Sequence, residues 1–410
     1  MTPTLLFYIL ITISTLYFIW DYVLDNLNFK HQQSPLPEFV KDIYNEETKE
    51  KSKAYEHLKH SFSKKVELFS FILSFIFFAI KGYGILDSFL RVHLTNEIII
   101  SLVFFGIIGF VSDIISLPFS YYSQFVIEAK FGFNKTTLTT FFTDKLKSYI
   151  LIILIAVPLY WLIATIYYQN PSDFWWMCWM VISVFSILAS TLYSTLILPL
   201  FNKLNPLEEG ELKNAITNYC SQNNFSLKKV LIMDGSKRST KANAFFTGIG
   251  RFKTIVLYDT LIEKLSTEEI VSVLAHEVGH YKKNHIIYSM IIGLITTGIS
   301  FYIFSLFIGN ELFDLCLGGG KSCLHLEIIS ISLIFSPVNL ITGWLMNSLS
   351  QKNEYEADDY AKKTSSGLDL ANALKKLSID ALNALNPHPL YVKLYYSHPP
   401  LHQRLKKLFS

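Results

Sequence analysis

Seven apolar segments, most of them long enough to cross a lipid bilayer, dominate this chain of 410 residues. A membrane-spanning helix needs about 20 mostly apolar residues, and runs of this length point to a membrane protein. The segments are residues 5–20, 66–86, 98–119, 149–168, 174–200, 286–308 and 326–349. The second segment is the weakest, because Glu67 and Lys81 shorten its apolar core. The sequence therefore predicts an α-helical polytopic membrane protein with seven transmembrane helices.

The loops between these segments differ in charge. Lysine and arginine are abundant after the first, third, fifth and seventh segments, whereas the other loops hold only Lys81, Arg91 and Lys321. Because basic residues are retained on the cytoplasmic side, we expect the N-terminus outside or in a lumen and the C-terminus in the cytoplasm. The leader MTPT carries no basic residue and no cleavage signal follows it, so the first segment is expected to be an uncleaved anchor.

Polar stretches divide the chain into four predicted parts. Residues 1–201 carry helices one to five, residues 286–350 carry helices six and seven, and the parts between and after them, 202–285 and 351–410, are expected in the cytoplasm. The first cytoplasmic part should be of mixed α+β structure. Its pattern predicts an amphipathic helix over 210–222 and strands over 230–234 and 254–258. The formal net charge of only +3 gives no indication of a nucleic-acid partner.

A short motif on the next predicted helix carries the chemistry. The helix begins at Ser266 or Thr267, and it contains the run HEVGH from His276 to His280. Residues four apart lie on one helical face, so both imidazoles can bind one metal ion. Glu277 beside them can take a proton from a water molecule at that metal. The alternative is a surface helix with two solvated histidines. A candidate third metal ligand elsewhere in the chain argues against this alternative.

Candidates for that third ligand follow the last apolar segment directly. Glu354 and Asp358 share a helical face, so one can bind the metal while the other holds a ligand in place. Their spacing does not say which does which. These carboxylates also suit an ordinary acidic helix start, where they would only complement the helix dipole.

Six ordered motifs resemble those of a known family, the type I CAAX prenyl endopeptidases, which are integral-membrane zinc metalloproteases of the gluzincin type. The resemblance covers nearly the whole chain. Its motifs are EAKFGFNK (128–135), PLFNKLNP (199–206), SKRS with NAFFTG (236–248), HEVGH (276–280), EYEAD (354–358) and SHPPLHQR (397–404). The resemblance implies one Zn²⁺ per chain and helices that enclose a large chamber.

The resemblance also implies roles for individual residues. It makes Glu354 the third zinc ligand and Asp358 its supporting neighbour. It makes His398 and Arg404 groups that stabilise the oxyanion and the substrate, because a cation or an imidazole N–H beside the metal lowers the barrier for a negatively charged intermediate. A substrate-binding edge strand is implied to contain Asn243, Ala244, Phe245 and Gly248. Without the resemblance, His398 would be an ordinary loop histidine and this segment a plain edge strand.

The leading hypothesis is a membrane zinc endopeptidase that cleaves near the C-terminus of prenylated CAAX-type proteins or related membrane-associated peptides. One alternative is a quality-control protease for membrane proteins, which fits a bacterial inner membrane. Residue usage rich in Phe, Ile, Lys and Asn favours that location, whereas a eukaryotic source would imply the endoplasmic reticulum membrane. A second alternative is a non-catalytic chamber that binds lipidated peptides and holds zinc as a structural ion. A transporter is poorly supported, because the spans form no paired, interrupted halves.

Other polar residues have simpler interpretations. Asp113 lies inside the third segment, where a carboxylate is costly unless it faces the helix bundle and finds a partner. We expect His285 at the membrane interface rather than at the metal. Of the four cysteines only Cys316 and Cys323 could pair, and the absence of any CxxC spacing argues against a cysteine-based metal site.

Overall fold

The computed structural model describes residues 1–227, 229–247 and 254–410. The helices of the first half are α1 (Pro3–Gln32), α2 (Glu46–Ala79), α3 (Gly82–His93), α4 (Glu97–Tyr122), α5 (Leu138–Leu151), α6 (Val157–Gln169), α7 (Phe174–Leu192) and α8 (Leu198–Phe201). Those of the second half are α9 (Glu211–Gln222), α10 (Asp259–Lys264), α11 (Thr267–Lys282), α12 (His285–Ser305), α13 (Leu312–Cys316), α14 (Leu324–Thr364), α15 (Gly367–Asp380), α16 (Pro389–Tyr395) and α17 (Leu401–Phe409).

Six continuous helical stretches within the described residues are long and apolar enough to span a membrane. They are Pro3–Gln32, Glu97–Glu128, Leu138–Gln169, Phe174–Phe201, His285–Ser305 and Leu324–Thr364. The seventh span is broken: α2 and α3 meet at an angle of 59°. Lys81 lies in the break with φ of 56°, a left-handed conformation that a continuous right-handed helix cannot contain. The expectation of one unbroken helix over residues 66–86 is therefore wrong in this detail. The expected seven spans are confirmed as six such helices plus the bent pair α2 and α3.

Asp113 has partners inside the helix bundle. Lys145 Nζ lies 2.6 Å and 2.7 Å from its two carboxylate oxygens, and the Tyr149 hydroxyl donates a further hydrogen bond. This pairing joins α4 to α5. The carboxylate, with its side chain 30% exposed, is thus compensated by a cation, which lowers the cost of a charge within a membrane span.

A four-stranded sheet lies between α8 and α11 in the chain. Its strands are β1 (Leu204–Pro206), β2 (Lys229–Met233), β3 (Ala244–Thr247) and β4 (Thr254–Tyr258). The order across the sheet is β1-β2-β4-β3, with β2 parallel to β4 and β3 antiparallel to it. The strand positions expected near 230–234 and 254–258 and the helix expected at 210–222 are confirmed. The strand β3 forms one edge of the sheet.

One hydrophobic core joins the sheet to the helices that carry the motifs. It includes Ile255 and Leu257 of β4, Leu274 of α11, Ala361 of α14 and Leu405 of α17. A close approach fixes α11 against α14: a Cβ atom at Gly279 would lie only 3.0 Å from the Cα atom of Ala357. A larger residue would push the two helices apart, so glycine at this position sets how near the HEVGH helix comes to Glu354.

The cysteines are free thiols, all four of them buried. Cys316 Sγ donates to the Phe313 carbonyl oxygen at 3.2 Å, whereas Cys323 Sγ faces Asp314 and His325 at 3.5 Å. The two side chains point to different partners, so the pairing of Cys316 with Cys323 that the sequence left open does not occur.

Candidate active site

The helix that carries HEVGH begins with a capping box. Ser266 Oγ accepts from the backbone N–H of Glu269 at 3.3 Å, and the Glu269 carboxylate accepts from the Ser266 N–H at 2.9 Å. Lys376 of α15 pairs with the same carboxylate at 2.7 Å. Because the cap satisfies orphan N–H groups and the ion pair ties the helix to α15, the start of α11 is held in place. This sets the rotation of the helix and hence the face on which its histidines lie.

His276, His280 and Glu354 come together on facing sides of α11 and α14. The two Nε2 atoms are 3.2 Å apart, and they lie 3.4 Å and 3.2 Å from the Glu354 carboxylate oxygens. All three ligand atoms lie within 4.8 Å of one another. Separations of this size suit an ion about 2.0–2.2 Å from each atom, the usual zinc distance to nitrogen and oxygen ligands.

The fit to a metal is supported by the buried carboxylate of Glu354. Glu354 is 3% exposed, and its Oε2 atom faces nitrogen atoms of three side chains: His398 Nδ1 at 3.0 Å, His276 Nε2 at 3.4 Å and Arg404 NH1 at 3.5 Å. A buried carboxylate oxygen normally has a hydrogen-bond donor or a cation as partner. Two imidazole nitrogens and this oxygen therefore form a donor set to which a divalent ion is the natural partner.

The other nitrogen of His276 has a carboxylate partner. His276 Nδ1 lies 2.9 Å from Asp358 Oδ1, and Arg404 holds the same carboxylate through Nε at 2.8 Å and NH2 at 2.6 Å. A hydrogen bond from Nδ1–H to a carboxylate leaves the lone pair of Nε2 free for a metal. The guanidinium of Arg404 thus binds Asp358 through two of its nitrogens, and the third, NH1, lies 3.5 Å from Glu354.

His280 has a partner that sequence reasoning missed. His285 is buried, its Nδ1 lies 3.0 Å from Nδ1 of His280, and its Nε2 lies 3.2 Å from Glu356. Asn284, with φ of 58°, turns the chain so that His285 folds back under His280. We expect His285 at the membrane interface rather than at the metal; it is the first residue of the span His285–Ser305, and it also contacts the side of His280 that faces away from the other candidate ligands. A histidine five residues after His280 is a hint of this contact in the sequence, but the two side chains meet only because Asn284 adopts a left-handed conformation.

Two cavities meet at these residues. One, of about 470 Å³, is lined by the three candidate ligands, Glu277 and the segment Asn243 to Phe245. A second, of about 850 Å³, extends between α1, α2 and α16. His398 and Arg404 line both cavities, so the smaller one is reached from the larger. Glu277 faces the same space as the candidate metal ligands, where a proton acceptor can act on water.

The edge strand β3 borders the smaller cavity. Asn243, Ala244 and Phe245 line it, and Ala244 and Phe245 pair with Leu257 and Val256 of β4 on the inner side. Gly248, also expected in the substrate-binding strand, lies outside the described residues. An edge strand can add an extended peptide through its free backbone groups.

Protonation of His276 should control metal binding. Burial disfavours its charged form, but hydrogen bonds with Asp358 and Glu354 outweigh burial and raise its pKa to about 9 from the usual 6.5. A protonated His276 thus stabilises the metal-free fold below pH 6.5, and this contribution is lost as the pH rises through 9. A metal must displace the proton, so we expect zinc affinity to rise by up to about tenfold per pH unit towards pH 9 and then to level off.

Competition with a chromophoric chelator at pH 6.5, 7.5 and 8.5 measures this dependence. An affinity independent of pH over this range would contradict the protonated state of His276.

Comparison with known proteins identifies the family of this chain. Residues 206–410 match the profile of peptidase family M48, and residues 25–203 match the CAAX prenyl protease N-terminal domain with five membrane helices. The chain belongs to peptidase family M48. It is a multi-pass membrane protease, and this family of metallopeptidases implies a metal at the active site.

Similar M48 proteins extend over almost the full chain. CAAX prenyl protease 1 of Saccharomyces cerevisiae is 36% identical over 405 residues, covering 92% of this chain and 89% of the yeast protein. The human CAAX prenyl protease 1 homolog is 32% identical over 419 residues, covering 91% and 88%. The crystal structure of S. mikatae Ste24p matches with a TM-score of 0.93 and 34% identity over 99% of each chain. The expected family and helical membrane fold are thus confirmed.

Proposed function

We propose that this M48 protease uses one zinc ion, held by His276, His280 and Glu354, to cleave prenylated CAAX-type substrates near their C-terminus. The observation that carries the proposal is the convergence of two Nε2 atoms and the buried Glu354 carboxylate beside a cavity. When bound, zinc acts as a Lewis acid that polarises the scissile carbonyl and makes water nucleophilic near neutral pH.

The remaining groups move protons and stabilise charge. Glu277 accepts a proton from the attacking water and passes it to the leaving amine. His398, next to Glu354, donates an N–H to the oxyanion that develops on the carbonyl oxygen. Asp358 orients His276, and Arg404 acts through Asp358, which accepts from its Nε and NH2, and through NH1, which lies 3.5 Å from Glu354. These two are positioning residues in this mechanism.

The substrate peptide binds in extended form along β3. Asn243, Ala244 and Phe245 line the cavity, so backbone groups of this edge that do not bond to β4 pair with the substrate backbone. Gly248 belongs to the same proposed surface. The cavity of about 850 Å³ then has room for the adjoining part of a lipid-modified chain end. In this scheme the polar parts 202–285 and 351–410 act as one protease unit.

The prenylated substrate is proposed from the names of the yeast and human relatives. It is tested with purified protein and two peptides of one sequence, with and without the prenyl group on the cysteine. We expect kcat/KM to be at least tenfold higher for the prenylated peptide, and we expect a chelator to abolish cleavage until zinc is restored.

Each other outcome points to an alternative. Equal cleavage of both peptides and of unfolded membrane segments would support the quality-control protease. Binding of the prenylated peptide without any cleavage would support the non-catalytic chamber.

We further propose a lumenal or outer N-terminus, from the distribution of basic residues. Relatives from yeast and human favour the endoplasmic reticulum membrane over a bacterial inner membrane. In sealed microsomes, an epitope at the N-terminus should resist added protease and one at the C-terminus should be removed. Cleavage of the N-terminal epitope in intact vesicles would contradict this orientation.

A further inference from the structure

A second group of metal-binding side chains lies far from the protease site. Asp87 of α3, Cys323 and His325 are each fully buried, with no exposed surface. His325 is at the start of α14, and Glu354 lies roughly 40 Å further along the same helix at about 1.5 Å per residue. The proposed protease chemistry makes no use of this group.

Its donor atoms are arranged much like those of the first site. His325 Nε2 lies 2.9 Å from Asp87 Oδ1 and 3.5 Å from Cys323 Sγ. All three atoms lie within 4.8 Å of one another, the same limit that the protease site meets. For comparison, the separations at the protease site are 3.2–3.4 Å. A tetrahedral zinc ion has its sulfur and nitrogen ligands at about 2.3 Å and 2.0–2.1 Å, which places those ligands about 3.5 Å apart.

Each of the three residues that supply a ligand atom also forms a hydrogen bond with a further residue. His325 Nδ1 forms a hydrogen bond of 2.8 Å with Ser101 Oγ, which can leave Nε2 with a free lone pair. The second oxygen of Asp87 accepts from Arg91 Nε at 2.8 Å. The backbone N–H of Cys323 donates to Asp314 Oδ1 at 3.0 Å. Metal ligands in proteins are usually oriented by such outer hydrogen bonds.

A buried carboxylate without a full set of partners points to a cation. Asp314 has no exposed surface, its Oδ1 lies 3.5 Å from Cys323 Sγ, and its Oδ2 has no hydrogen-bond partner. Arg91, the cation beside Asp87, is shared with Glu97 at 2.9 Å. Among the described residues Asp87 thus has Arg91 as its cation, whereas Asp314 forms no salt bridge. A buried carboxylate in such surroundings is commonly neutralised by a proton or a metal.

We propose that Asp87, Cys323 and His325 form a second, structural zinc site, to which Asp314 supplies a further oxygen. Binding breaks the S–H bond of Cys323; its thiolate binds the ion and the proton passes to solvent. A thiolate with an imidazole favours zinc over calcium or magnesium. Full burial leaves no position open for a substrate, so the ion cross-links α3 to α14 beside the break between α2 and α3. The chain then binds two zinc ions rather than the one expected from its sequence.

Metal counting on the purified full-length protein tests the proposal. We expect two zinc ions per chain in the wild type, one in a His276→Ala/His280→Ala variant and one in Cys323→Ser. Cys316→Ser is the matched control, because Cys316 is equally buried nearby but its thiol donates to a backbone carbonyl. That variant should keep two ions.

Cobalt substitution identifies the site without relying on any variant to fold. A thiolate bound to Co²⁺ gives a charge-transfer band in the near ultraviolet, and no sulfur atom belongs to the His276, His280 and Glu354 set. We expect the band in the wild type and in the His276→Ala/His280→Ala variant. One ion per chain and no such band would overturn the second site and leave the proposed protease function intact. A band lost in Cys316→Ser would overturn the assignment of Cys323.

Discussion

A Glu277→Gln variant is expected to lose about 10²–10⁴-fold in kcat while its zinc content stays at the wild-type level. Glutamine has nearly the size of glutamate, so packing in the cavity shared with His276 and His280 is preserved. The amide cannot accept a proton from water, however, and the general-base step is lost. Cleavage of the prenylated peptide and metal analysis of the same preparation measure the two quantities together.

Glu268→Gln is the matched control, because Glu268 is exposed in the first turn of the same helix. It makes the same chemical change without touching the cavity, so its kcat should stay within about twofold of wild type. If Glu277→Gln keeps more than a tenth of the wild-type rate, another group is the base and the proposed mechanism fails. If the wild type and Glu277→Gln both bind the prenylated peptide and neither cleaves it, the chain is a non-catalytic binding chamber.

A Glu354→Ala variant should lose zinc and activity together. The carboxylate is 3.2–3.4 Å from both Nε2 atoms, and its removal leaves two imidazoles alone to hold the ion. We expect a loss in zinc affinity larger than the about 10–100-fold that removal of an outer hydrogen-bond partner costs. Titration with zinc against a competing chelator gives the affinity, and circular dichroism reports whether the fold is kept.

Two other acidic residues of α14, Glu356 and Asp359, serve as controls for Glu354→Ala. Glu356 contacts His285 rather than the ligand group, so Glu356→Ala should weaken zinc binding by at most about 10–100-fold. The side chain of Asp359 is 46% exposed and pairs with Lys363, so Asp359→Ala should have no effect on zinc affinity. We expect the loss of zinc affinity to be far larger for Glu354→Ala than for Glu356→Ala, and larger for Glu356→Ala than for Asp359→Ala. Equal affinities in Glu354→Ala and Asp359→Ala would remove Glu354 from the metal site.

Features with local causes could be predicted from the sequence. The spans follow from runs of apolar residues, the start of α11 from the Ser266 and Glu269 pair, and the strand β4 from a β-branched run. The shared face of His276 and His280 follows from the helical repeat. The break at Lys81 was only partly visible, because a lysine in an apolar run weakens a span without showing that the chain bends there.

Features that depend on distant residues could not be predicted in the same way. Spacing left Glu354 and Asp358 equivalent, and only the packing of α14 on α11 places one beside the Nε2 atoms and the other beside Nδ1 of His276. Likewise, the ion pair of Arg404 with Asp358 joins α17 to α14 and could not be predicted from spacing along the chain. Asp87 is separated from Cys323 by most of the chain, so no motif could join them.

Anomalous diffraction at the zinc absorption edge, from crystals of the full-length protein, tests the central claim most directly. We predict a zinc peak bounded by His276 Nε2, His280 Nε2 and the Glu354 carboxylate, at about 2.0–2.2 Å from each ligand atom. Active protein whose crystals show no zinc peak between these three side chains would contradict the account.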